Sequence, residues 1–87
     1  MNAAAPDLLL EQDEKVMSLA IERMGDRDHL IAAAWRKTSS PQFIELLADL
    51  TIAKRNRNQM DTVRLCSELM WEIEDAVMTQ CRKEVGA

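Results

Sequence analysis

The chain of 87 residues has no tyrosine, one phenylalanine, two tryptophans and one histidine. It also has only two cysteines, two glycines and two prolines. Each scarcity excludes something. So few turn residues do not punctuate a sheet protein. Gly25 stands alone, so no glycine-rich loop cradles a phosphate. His29 has no second histidine, and Cys66 and Cys81 form no Cys-x-x-Cys, which leaves no usual zinc site. The acidic residues lack the alternating spacing and central glycine of a calcium loop. No metal and no cofactor is expected. No apolar run approaches the ~20 residues needed to span a bilayer. The N-terminus lacks the basic segment of a signal peptide. A cytoplasmic protein is the expectation.

What is present points to helix. The composition is 47% hydrophobic and 30% charged, which suits a globular chain. Six methionines and many Ala, Leu and Glu favour helix over strand. The length fits one domain with a modest core, and chains of this size often gain stability by oligomerising. The net charge of −4 makes the protein acidic and argues against general nucleic-acid binding, which needs basic surface. Cys66 and Cys81, if on one helix, lie roughly 22 Å apart and cannot bridge.

The spacing predicts an all-α fold, a small bundle of about four helices arranged as helical hairpins. Residues 1–5 are expected to be a disordered N-terminus, and residues 6–87 a single helical domain. Pro6 and Asp7 suit the opening of a first helix. Leu10, Val16, Met17, Ala20, Ile21 and Met24 form its apolar stripe, and Gly25 ends it. Asp26 or Asp28 caps a short second helix, in which Leu30, Ile31, Ala34 and Trp35 share a face. "TSSP" breaks it, with Ser40 as N-cap and Pro41 at the first position of the third helix. That helix carries Phe43, Leu46, Leu47 and Leu50.

Whether the third helix runs on into the fourth is decided by phase. At about 100° per residue, the stripe of residues 43–50 faces nearly opposite to Val63, Cys66, Met70, Ile73 and Val77. A break near residues 55–59 removes the conflict, with Asn58 capping the new helix and Asp61 three residues on. A single long helix over 41–84 is the alternative.

Candidate sites are surfaces. Trp71 and Met78, seven residues apart, share a direction that is off the expected core stripe. Either a neighbouring helix covers them or they bind a partner, for which Trp and Met are suited. Glu68, Glu72 and Asp75 stack at helical spacing as an acidic edge, either solvated or facing a basic partner. Lys54, Arg55 and Arg57 form a basic run, either a solvated loop or a contact to nucleic acid or an acidic partner. No aromatic is interleaved there for base stacking.

Known small helical families do not fit. Acyl carrier proteins match in size, but their Asp-Ser-Leu attachment motif is missing. Helical chorismate mutases need converging cations, and "KRNR" is a contiguous run. The expectation is therefore a non-enzymatic protein–protein interaction module. A small acidic inhibitor, adaptor or co-chaperone of bacterial or phage type fits, acting sterically on a protein partner or on itself as a homodimer. The alternative is a nucleic-acid-binding or regulatory protein using residues 54–57.

Overall fold

A computed structural model describes the backbone of residues 4–86 and the side chains of residues 11–86. Among the described residues four helices follow in order: α1 (Ala4–Met24), α2 (Arg27–Lys37), α3 (Pro41–Arg55) and α4 (Gln59–Gly86). There is no strand among the described residues. The first three residues of the expected N-terminal tail lie outside the description, and α1 begins at Ala4.

The breaks are local chemistry. The Asp26 carboxylate accepts from the His29 backbone N–H at 3.3 Å, starting α2. Ser40 occupies the N-cap of α3, but its side chain makes no capping bond; Pro41 at the first turn sets the entry instead. The break between α3 and α4 falls at residues 56–58. Arg57 there takes φ 56°, a left-handed conformation rare for a side-chain-bearing residue. The Asp61 N–H donates to Asn58 Oδ1 at 3.1 Å, and Asn58 Nδ2 donates back to the Asp61 carboxylate at 2.9 Å. This reciprocal cap satisfies an orphan N–H of α4.

α4 is the organising element and packs against all three other helices. α1 ends beside the end of α4, where Arg23 pairs with Glu84. α2 runs back along α4 and delivers Lys37 to Glu72 and Asp75. α3 continues in that direction and forms an antiparallel hairpin with the first half of α4. The C-terminal half of α4 therefore sits in a three-helix bundle, and its N-terminal half in a two-helix hairpin.

The main core lies at the three-helix end: Val16, Ala20, Ala33, Ala76, Val77 and Cys81, flanked by Leu19, Met24, Leu30, Ile73, Met78 and Val85. Phe43, Ala53, Leu65 and Leu69 are buried in the hairpin. Several expected core residues are instead exposed. On α4, Val63, Cys66 and Met70 face solvent, while Leu65, Leu69 and Ala76 on the other flank take the buried positions. α3 docks on that flank. Met17 and Ile21 are open on α1, and Ile31 and Trp35 on α2. Ala33, off the expected stripe of α2, is fully buried, because close helix approach selects a methyl group.

Candidate functional site

α1 and α4 leave a groove along their outer junction, with a volume of about 390 Å³. Met17, Ala20, Ile21 and Met24 line it from α1, and Trp71, Glu74, Asp75, Met78 and Arg82 from α4. Trp71 and Met78, which point the same way, behave differently. Met78 is half-buried and packs on the core. Trp71 keeps 62% of its surface exposed, beside Met17 at 50% and Ile21 at 66%. So α1 covers the floor of the expected apolar pair and leaves its rim open. Met17 and Ile21 were legible as apolar in the sequence, but only the placement of α1 puts them on the groove rather than in the core.

The acidic edge is largely committed within the chain. The Lys37 ammonium donates to Glu72 at 2.9 Å and to Asp75 at 3.2 Å. Glu72 chiefly, then Asp75, holds the Lys37 amine above its ordinary pKa, against the opposing effect of burial. Arg64 donates to Glu68 at 3.1 Å, one helical turn away. Glu68, Glu72 and Asp75 thus each have an internal cation, which weakens any field they direct at a partner. Glu74 is the exposed carboxylate on the groove wall.

The basic run sits elsewhere. Lys54 and Arg55 end α3, Arg57 sits in the turn, and all three are exposed. None of the three makes a salt bridge among the described residues. Lys54, Arg57, Gln59, Thr62 and Val63 line a shallow depression of about 490 Å³ at this tip.

His29 is exposed and pairs with Asp26, whose carboxyl it holds below the ordinary value. This is a helix-capping arrangement with no nucleophile in it. Among the described residues no group of three or more His, Cys, Asp or Glu side chains is placed to hold a metal. Cys66 and Cys81 both lie on α4 as free thiols, the first exposed and the second buried. No described helix is long and apolar enough to cross a membrane. Chemically, the groove can hold apolar side chains against Trp71 and Met78, with Glu74 and Arg82 at its rim. Comparison with protein-family models, with curated proteins and with solved structures returns no match for this chain.

Proposed function

We propose that the protein is a non-enzymatic protein-binding module, a small acidic inhibitor, adaptor or co-chaperone of bacterial or phage type. Its partner presents apolar side chains, most simply from an amphipathic helix, to the groove between α1 and α4. The observation that carries this reading is the exposure of Trp71 above a floor of Met78, beside exposed Met17 and Ile21. A tryptophan held open at the edge of an apolar groove has the character of a binding anchor. Shape and apolar contact supply the mechanism, since the acidic edge is mostly paired internally.

The test is affinity capture from cells that encode the chain, with wild type and Trp71→Ala compared. A partner captured by the wild type should be lost by the variant, and the thermal midpoint should stay close to wild type. Identical captured sets, or a Trp71→Ala chain that fails to fold, would remove the reading.

A second reading uses the basic tip. Lys54, Arg55 and Arg57 cluster at one exposed end without intrachain anions among the described salt bridges, which suits a phosphate backbone. Fluorescence anisotropy of labelled DNA and RNA at low salt tests it. Binding that falls steeply with salt and vanishes in the triple alanine variant would favour it. No binding at low ionic strength would eliminate it.

A further inference from the structure

The α3/α4 hairpin has an apolar face of its own, away from the Trp71 groove. On α4, Val63 is 67% and Met70 61% exposed, with exposed Cys66 between them. On α3, Ile44 and Leu47 are 46% and 41% exposed. In an antiparallel hairpin these two flanks turn to the same side. Leu65 and Leu69 fix the direction from α4 toward α3, and Phe43 and Leu50 the reverse. From those directions, 100° steps carry Cys66 and Met70 on one helix, and Leu47 and Thr51 on the other, to one common side.

This face has a coiled-coil spacing. Val63, Cys66, Met70, Ile73 and Val77 recur at intervals of three and four. The last two members are covered by the three-helix end, with Val77 at 2% exposure. The same seam is therefore core at one end and open at the other. The open stretch carries no charge at 63, 66, 67 and 70, or at 44, 47, 48 and 51.

We propose that this seam is closed by a second copy of the chain, packed hairpin to hairpin as an antiparallel, two-fold four-helix bundle. Two helices with one shared apolar face lack half of a four-helix core, and another copy supplies two helices of matching length. An uncharged face suits self-complementary packing, where one patch meets its own image. The area also fits. The chain exposes 6715 Å², whereas a compact monomer of 9.9 kDa exposes ~5,200 Å². Its radius of gyration is 16.6 Å, against ~12 Å for a compact domain of this length. A dimer hides ~800 Å² per copy in a standard interface, well within that excess. The antiparallel sense sends the two three-helix ends to opposite ends of the dimer. Val63 of one copy then meets Met70 of the other, and the two-fold axis passes beside Cys66.

Light scattering across a hundredfold dilution tests the state, and a short bis-maleimide tests the geometry. The wild type should have the mass of two chains and cross-link through Cys66, with Cys66→Ser abolishing the product. Val63→Glu/Met70→Glu should weaken association roughly a hundredfold or more, because it buries unpaired charges. Its circular dichroism should remain helical. A wild-type monomer at every concentration overturns the proposal. So does a dimer that survives both glutamates, or one that Trp71→Glu dissociates and the double variant does not. If the double variant does not fold, the Cys66 cross-link decides: its absence in a wild-type dimer places the interface elsewhere. The Trp71 groove is a separate surface, so loss of self-association leaves that reading standing.

Discussion

Lys37 Nζ lies 2.9 Å from the Glu72 carboxylate, with the two side chains only 19% and 14% exposed. The pair joins the last turn of α2 to the middle of α4, close to where the three-helix end gives way to the hairpin. A half-buried, charge-assisted bond of this kind contributes ~1–2 kcal/mol, more than an exposed pair. Lys37→Met keeps the apolar stem and removes the charge. It should lower urea stability by about that amount, and a double-mutant cycle with Glu72→Gln should show coupling. Additive effects would mean that the two charges do not act together.

The same residue sets the alkaline limb of stability. Its folded-state pKa is raised above the ordinary 10.5 by Glu72, so its contribution is complete below that value. The contribution is lost as pH rises through the elevated pKa. Glu84, lowered by Arg23, and Asp26, lowered by His29, behave oppositely. Their contributions are present above their ordinary values of 4.5 and 3.8, and fade as pH falls through the lower folded-state values. Thermal midpoints against pH should fall at both extremes. Lys37→Met should flatten the alkaline limb alone, and Glu84→Gln should flatten part of the acid limb.

The turn between α3 and α4 yields two opposite effects. Asn58→Ala removes both halves of the reciprocal cap and should destabilise by ~1 kcal/mol. Arg57→Gly relieves a left-handed φ of 56° and should be neutral or stabilising by up to ~1 kcal/mol. Arg57→Val should be destabilising. Chemical denaturation of the three variants checks the order; equal midpoints for Gly and Val would contradict the conformational argument.

Packing at the three-helix end depends on small residues. Ala33 has no exposed surface, so Ala33→Leu overpacks the contact with α4 and should destabilise by ~1–3 kcal/mol. Trp35→Ala, on an exposed ring of the same helix, should change stability by less than ~0.5 kcal/mol. A reversed ranking in urea would place Trp35 in the core.

The thiols should separate by accessibility. In the Val63→Glu/Met70→Glu variant, whose seam stays open, Cys66 should react with a thiol reagent in the folded protein, and Cys81 only after unfolding. The stoichiometry is one thiol per chain in buffer and two in denaturant. Fast reaction of both in buffer would mean that the three-helix end opens readily.

The sequence by itself determined how many helices form and where they stop. Asp26, Pro41 and the Asn58–Asp61 cap act within three or four residues, so their effect is readable before any tertiary contact exists. Trp71 and Met78, off the Val63–Cys66–Met70 stripe, already made the last helix apolar in more than one direction, which suits a helix with several neighbours. Tertiary structure decided which apolar residues are buried. The stripe Val63–Cys66–Met70 and the stripe Leu65–Leu69–Ala76 are both plausible faces of α4, and periodicity only fixes their angle to each other. The docking side of α3 chose the second. Ala33 was invisible for a related reason: its burial comes from how closely helices approach, and a methyl group carries little hydrophobic signal of its own. Trp71 was legible as an outlier, but its open rim required the position of α1. Glu72 and Asp75 read as a free acidic edge because their cation, Lys37, is more than thirty residues away in sequence and reaches them only after α2 has folded back along α4.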